Sequence, residues 1–465
     1  MTVPETVSEY TPLNSRRWWI LRISINLLLS LVVTVVQLPM YIYHCVNSLL
    51  FSASQRRQSP DNITKFMQEE IVAPLFDSSS TEGSNELETK IVEALDIVDI
   101  VHLHGYKVHE HVVQTRDGYL LAIHRIVSNK VTPSTIDLRL SGKKVVYLHH
   151  GLLTNSEIFV LGDTKEKCLP FLLVDLGFDV WLGNNRGNKY SRKHISLSPN
   201  SNEFWDYSLD QFAMFDIPDT VSYILGATKR EKLAYIGFSQ GSAQCLAALS
   251  LSPKLGEQIE LFIGLSPAMI PQGLCHPLTS LFVYSAPSFM FRLFGKRAIL
   301  PSVVFWQRIF GPALYEQVVD RSLIILFGWK SKNLSKAQKT VGYPHIFSPT
   351  SVKSVIHWFQ IISSGRFQMY DEGGAAGSKL VPLSGSSTKT HRVAPFPIQT
   401  ISTPMLLIYG EADSLIDMVK TRDNLSCPCE VVGIPSYEHM DTLWADDVNS
   451  KVFDRVINRL MEPQI

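Results

Sequence analysis

Gly237-Phe238-Ser239-Gln240-Gly241 decides how this chain is read. An apolar stretch of strand character, Leu233 to Phe238, runs into it, and a run of small and apolar residues of helix character, Ser242 to Leu249, follows. A serine pinned between a strand and a helix sits on a sharp turn. Its hydroxyl is raised above the sheet and its backbone is held in a sparsely populated conformation. Glycines two positions to either side remove the Cβ atoms that would keep strand and helix apart. With 26 glycines in 465 residues the pattern alone is weak, and its flanks make it specific. The competing reading is a tight turn carrying an ordinary serine.

A serine hydroxyl needs a base to take its proton, and the base needs an acid to orient it. Pro404-Met-Leu-Leu-Ile-Tyr-Gly410 reads as a buried parallel strand, and Asp413 lies in the turn after it. Val431-Val-Gly-Ile434 leads into Tyr437-Glu-His439-Met-Asp441, which places His439 on the loop after the last strand. Asp417 and Asp441 compete with Asp413 for the acid's role. Asp417 stands where a helix begins, a position that favours an acidic cap. Asp441 is too near His439 in sequence to support its ring from below. Serine, aspartate and histidine in this chain order, each at a strand end, are the arrangement of an α/β-hydrolase.

Such a site also needs backbone N–H groups for a developing oxyanion. Gln240, next to the serine, offers one. Lys144-Val-Val-Tyr-Leu-His149-His150-Gly151-Leu152 reads as a strand ending in His-Gly, and Leu152 offers the other. His149 and His150 resemble a metal pair, but neighbours on a strand point to opposite sides and no acid or thiol stands at ligand spacing. No metal or organic cofactor is expected.

Strands are expected near 108–115, 119–126, 144–149, 178–183, 233–238 and 261–265, with helices near 164–176, 209–227 and 240–250. This alternation predicts an α/β-hydrolase fold with a mostly parallel central sheet. The chain is divided into a tail (1–17), a membrane anchor helix (18–44), a linker with one short helix (45–96), the first part of the core (97–270), an inserted helical cap (271–371), a flexible Gly/Ser-rich loop (372–395) and the second part of the core (396–465). Aromatic residues crowd the cap, among them Phe282, Phe289, Phe327 and Trp329. Most of them pack helices. A cap over a nucleophile must also present an apolar underside to a lipid.

Many ordered motifs carry a resemblance. They include Gly105-Tyr-Lys-Val-His-Glu-His111, Thr115-Arg-Asp-Gly118, His150-Gly-Leu-Leu153, Gly183-Asn-Asn-Arg-Gly-Asn188, His357-Trp-Phe-Gln360, Gly410-Glu-Ala-Asp413 and His439-Met-Asp-Thr-Leu-Trp444. The chain resembles the acid lipase family, which includes gastric and lysosomal lipases, and is most similar to its fungal membrane-anchored steryl ester hydrolases. The resemblance implies ester hydrolysis with Ser239 as nucleophile, His439 as base, Asp413 as orienting acid and Leu152 with Gln240 as oxyanion donors. Three positions depart from the pattern: Phe238 where His is common, His149 where Gln is usual, and Glu438 where Gly often precedes the histidine. They bear on substrate preference and pH optimum, since none removes a reacting group.

The formal net charge is zero, and nothing in that balance points to nucleic acid or an acidic polymer as partner. Hydrophobic residues make up 45% and charged ones 18%, a balance that leans toward a lipid interface. Trp18 to Tyr43 is nearly uninterrupted apolar sequence, longer than the ~20 residues that cross a bilayer core, with no small-residue cleavage site closing it. A span and a hairpin bent at Pro39 are both compatible with it, and arginines and lysines flank both ends. The six cysteines form no disulfide framework, and the cap has only Cys275 where secreted relatives carry a bridge. A cytosol-facing catalytic domain on a lipid droplet or endoplasmic reticulum membrane follows, with the plasma membrane left open and the sequons at Asn62, Asn333 and Asn424 arguing the other way. The expected activity is hydrolysis of steryl esters or triacylglycerols at a membrane or lipid-droplet surface. The alternatives are acyl transfer on the same fold and a non-catalytic lipid-binding protein. The residues fix no oligomeric state.

Overall fold

A computed structural model describes residues 86–129, 143–274, 282–299, 303–372 and 393–462, with backbone alone between 303 and 314. The tail 1–17, the anchor 18–44, residues 45–85 of the linker, Cys275 and the Gly/Ser-rich stretch 373–390 lie outside the described residues. The described elements fall in one unit, Gly83–Ile465. Among the described residues no helix is long and apolar enough to cross a membrane.

Apolar runs without a polar face become strands buried on both sides. In chain order the strands are β1 (Tyr106–Gln114), β2 (Tyr119–Ser128), β3 (Val145–His149), β4 (Asp179–Leu182), β5 (Lys193–His194), β6 (Leu233–Phe238), β7 (Ile259–Leu265), β8 (Ala298–Ile299), β9 (Thr350–Ser351), β10 (Met405–Gly410) and β11 (Cys429–Ile434). A nine-stranded sheet has the order β1-β2-β4-β3-β6-β7-β10-β11, with β5 against β2. From β4 to β11 the neighbours are parallel, while β1–β2 and β2–β4 are antiparallel. The pair β8–β9 forms a separate small sheet.

Successive side chains feed two cores, as the pleat requires. Val146, Leu148, Ile236, Phe238, Leu406 and Ile408 face one layer, where the helices Ile97–Leu103, Leu169–Asp175 and Asp454–Met461 cover them. Val145, Tyr147, Tyr235, Met405 and Leu407 face the other, under the helices Ile217–Thr228 and Gln240–Leu251. The segment expected as one helix over 209–227 is an α-helical turn, a π turn at Phe212–Asp216 and then an α-helix. The extra residue of the π turn accompanies Asp216, which is fully buried and holds Arg186 at 2.8 Å.

Two expected boundaries shift. Glu86–Glu93, inside the segment read as linker, is a packed helix with Ile91 fully buried, and the Ile91 carbonyl meets His345 Nε2 at 2.7 Å. In the segment read as cap, the helices Lys336–Ile346 and Val352–Ser364 place Val341, Tyr343, Trp358 and Ile361 in the two main cores. The helix Val303–Phe327 adds Tyr315 and Val319 to a main core, and Met290, Val352, Ile356 and Tyr370 form a small separate cluster with neighbouring phenylalanines. Phe289 and Tyr284 are exposed.

Candidate active site

Parallel strands that end level with one another bring their following loops together. Phe238 of β6 pairs with Leu265 of β7, Leu265 with Ile408 of β10, and Gly410 with Ile434 of β11. Ser239, Asp413 and His439 therefore emerge at one sheet edge. Ser239 takes φ 53° and ψ −118°, a strained turn held by its N–H donating to Leu265 O at 3.0 Å. A Cβ on Gly237 would lie 2.6 Å from Ser242 N and one on Gly241 2.2 Å from His149 O, so only glycine admits this contact of strand, helix and loop.

The three side chains form one hydrogen-bonded line. His439 Nε2 is 2.8 Å from Ser239 Oγ, and His439 Nδ1 is 2.6 Å from Asp413 Oδ2. All three residues are buried. The other carboxylate oxygen of Asp413 accepts the Leu415 N–H at 3.0 Å, which fixes its plane. Ser266 Oγ donates to the His439 carbonyl at 2.8 Å and anchors the histidine's backbone. With its proton held on Nδ1 by Asp413, the imidazole presents an Nε2 lone pair to the serine hydroxyl, the geometry of a general base.

The rival acids are engaged elsewhere. Asp417 caps the helix Met418–Asp423 by accepting the Lys420 N–H at 3.0 Å. Asp441 accepts the Glu438 N–H at 2.6 Å and the Asn333 side-chain amide at 2.7 Å, so it shapes the histidine loop from within. The same contact occupies the amide nitrogen of the Asn333 sequon.

Leu152 and Gln240 flank the serine. A Cβ on Gly151 would lie 3.1 Å from Ser239 Cβ, so the segment carrying Leu152 passes against the nucleophile. Among the described residues, no hydrogen bond links either backbone N–H to a protein acceptor. The orientation of the Leu152 N–H follows from its own peptide plane. His150 Nε2 accepts the Asn185 N–H at 3.1 Å, so its proton is on Nδ1, which donates to Gly151 O at 2.8 Å. Thr154 Oγ1 donates to the same carbonyl at 3.0 Å. The Gly151 C=O and Leu152 N–H belong to one planar trans unit and point opposite ways, so fixing the first aims the second. On the other side, Trp358 Nε1 donates to Gln240 Oε1 at 2.6 Å and holds the first residue of the helix.

His149 and His150 do not point to opposite sides as expected. Their rings stack 5.1 Å apart at 13°, because the strand ends at His149 and His150 has left the pleat. Their four ring nitrogens are committed within the protein. His149 Nδ1 accepts the Tyr147 O–H at 2.7 Å and Nε2 donates to Asn185 Oδ1 at 2.9 Å, an oxygen that also accepts the Gln244 amide at 3.0 Å. Arg186, next in that motif, is buried between Asp216 and Asp117, with 2.6 Å from Nη1 to Asp117.

Burial holds His149 neutral, with its pKa lowered to about 4, and does the same to His104 and His357, while His124 is lowered to about 3. The unfolded chain regains the ordinary value of 6.5 for each. At these histidines the unfolded state therefore binds protons between that pH and about 4 that the folded state does not. This loss of stability on acidification is opposed in part by the buried carboxyls of Asp210, Asp216 and Asp441, raised to about 6. Melting curves from pH 7 to 4 are expected to show a progressive fall in Tm; a Tm that stays level or rises contradicts it.

Trp358 and Thr154 are members that sequence reading does not single out; the signal for each is its place in or beside a quoted motif, His357-Trp-Phe-Gln360 and His150-Gly-Leu-Leu153.

Comparison with known proteins bears on the family and the fold. A family model described as a partial alpha/beta-hydrolase lipase region matches residues 97–163, and one described as the alpha/beta hydrolase fold matches residues 144–446. A Schizosaccharomyces pombe protein named "Probable lipase" is 44% identical over 401 residues, covering 86% of this chain and 88% of its own. Gastric triacylglycerol lipase of Rattus norvegicus is 32% identical over 380 residues, covering 79% and 92%. A Crotalus adamanteus protein named "Putative lysosomal acid lipase/cholesteryl ester hydrolase" is 31% identical over 405 residues, covering 85% and 98%. With the sheet order, the turn at Ser239 and these matches together, the chain belongs to the acid lipase family of α/β-hydrolases, enzymes that cleave carboxylic esters.

Proposed function

We propose that the protein is a membrane-associated hydrolase of lipid esters, with steryl esters as leading substrates and triacylglycerols next. The observation that carries the chemistry is the line of hydrogen bonds from Asp413 through His439 to Ser239. As Ser239 Oγ attacks the ester carbonyl carbon, its proton passes to His439 Nε2, and the imidazolium rests against Asp413. The carbonyl oxygen gains negative charge, which the N–H groups of Leu152 and Gln240 receive. When the carbon–oxygen bond to the alcohol breaks, His439 returns the proton to the leaving sterol or glycerol oxygen. The acyl group then stays on Ser239 Oγ. Water, deprotonated by His439, attacks this acyl-enzyme; the proton goes back to Ser239 and the fatty acid leaves.

The lipid reading draws on the named relatives and on the cap's apolar cluster of Met290, Ile356 and adjoining phenylalanines. Membrane attachment draws on the apolar run Trp18 to Tyr43. The test is the full chain in detergent micelles, assayed side by side on steryl oleate and triolein and labelled with a fluorophosphonate. Faster release of oleate from the sterol, together with labelling of Ser239, supports the proposal. Faster triolein cleavage reverses the substrate order, and acyl transfer to an added alcohol without fatty acid release overturns hydrolysis. The protein should also stay in the membrane pellet through alkaline carbonate extraction, and a chain starting after residue 44 should not.

A further inference from the structure

Glu438 adjoins His439 in sequence but does not contact the triad. Its carboxylate is wrapped by a turn of the inserted segment. Lys330 N–H lies 2.9 Å from both oxygens, and Ser331 N–H donates to Oε2 at 2.7 Å. Ser331 itself adopts φ 48°, so this turn is held in a conformation that non-glycine residues rarely take. Further bonds tie the same stretch to the loops carrying the acid and the base. Ser414 Oγ donates to Phe327 O, and the Asn333 side-chain amide donates to Ser436 O at 2.9 Å and to Asp441 Oδ2 at 2.7 Å.

Trp329 sits between these ties. It is buried, and its ring lies parallel to that of His439, with centroids 4.8 Å apart and 5° between planes. Phe327 backs the indole at 4.3 Å, and Phe238 meets the imidazole at a tilt of 53°. An imidazole that serves as base must keep both nitrogens aligned, one on Asp413 and one on Ser239, while its charge changes. A flat aromatic face against the ring opposes rotation. It also attracts the ring once it has become a cation, because the indole face is electron-rich.

We propose that Glu438 and Trp329 form a positioning unit for His439: the carboxylate fixes the turn, and the turn lays the indole against the imidazole. This rests on the reading of Ser239 and His439 as the reacting pair. Neither residue touches the reacting atoms, so both act through the histidine, and Glu438 acts through Trp329.

The test uses the full chain in detergent with a small soluble ester, p-nitrophenyl butyrate, and the rate of fluorophosphonate labelling. Trp329→Ala should lower kcat about tenfold and leave KM within about twofold, with labelling slowed in parallel. Trp329→Phe should restore most of kcat, since a flat ring remains. Glu438→Ala should lower kcat severalfold, and the double variant Glu438→Ala with Trp329→Ala should be no slower than Trp329→Ala alone. A wild-type kcat in Trp329→Ala, a rise in KM alone, or losses that multiply in the double variant would overturn the proposal. If Trp329→Ala does not fold, Glu438→Ala decides: it removes both oxygens that accept the Lys330 and Ser331 N–H groups, so a loss of kcat supports the unit and an unchanged kcat refutes it. Failure of the wild type to label would remove the Ser239 reading itself, whereas a labelled wild type with indifferent Trp329 variants removes only this inference.

Discussion

Ser239→Ala is expected to lower kcat for ester cleavage about a million-fold, by analogy with the loss of the nucleophile in other serine hydrolases. In the proposed mechanism this hydroxyl forms the acyl-enzyme. No other serine or threonine hydroxyl is hydrogen-bonded to His439 Nε2 among the described residues. What remains after the substitution is the stabilisation that Leu152, Gln240 and substrate binding provide by themselves. The fold should persist, because alanine occupies the same strained backbone with a smaller side chain and the Ser239 N–H bond to Leu265 is a main-chain contact. Measurement of kcat on p-nitrophenyl butyrate, with the melting curve as control, checks this. A variant that keeps a tenth of the activity with an intact melt would place the nucleophile elsewhere.

Asp413→Asn is expected to cost about ten-thousand-fold in kcat with little change in fold. The reason lies in the tautomer. The carboxylate accepts the proton on His439 Nδ1 across 2.6 Å, and this leaves Nε2 free to accept from Ser239. An asparagine can turn its NH₂ toward Nδ1, which moves the imidazole's proton to Nε2, where it faces the serine and cannot take a proton from it. No nearby acid takes over. Asp441 already holds the Glu438 N–H and the Asn333 amide, and Asp417 caps a helix. Because the groups act as a unit, combining Asp413→Asn with Ser239→Ala should cost no more than Ser239→Ala alone. A loss below tenfold in Asp413→Asn would show that another group orients the histidine.

The long strands of the main sheet and the hydrogen-bonded trio were legible because their causes are local or follow chain order, whereas the two-residue strands β5, β8 and β9 were not. Leu233–Phe238 and Met405–Gly410 have no polar face, so each could only be a strand covered on both sides. Gly237 and Gly241 bracket Ser239 because backbone and helix meet there at distances no Cβ tolerates. Asp413 and His439 each follow a strand of that sheet, and the parallel register brings their loops to one edge. One short helix was expected somewhere in 45–96, but that Glu86–Glu93 packs into the core was not legible. Its sequence is mostly polar, and its one fully buried residue, Ile91, packs into a core assembled from distant segments, with its carbonyl bound by His345 254 residues away.

The residues that support the trio belong to the same class. Residue order pointed to the nucleophile, the base and the acid, since a strand-turn-helix serine followed by an acid and a histidine at later strand ends is the arrangement of an α/β-hydrolase. Three-dimensional packing alone decided how each group is held. It was packing that set the His150 ring against the Gly151 carbonyl, joined Trp358 to Gln240, and curled the turn at Lys330 around Glu438 so that Trp329 lies on His439. Hydrogen-bond direction and ring stacking depend on which segments meet, and a linear order of residues does not contain that distance.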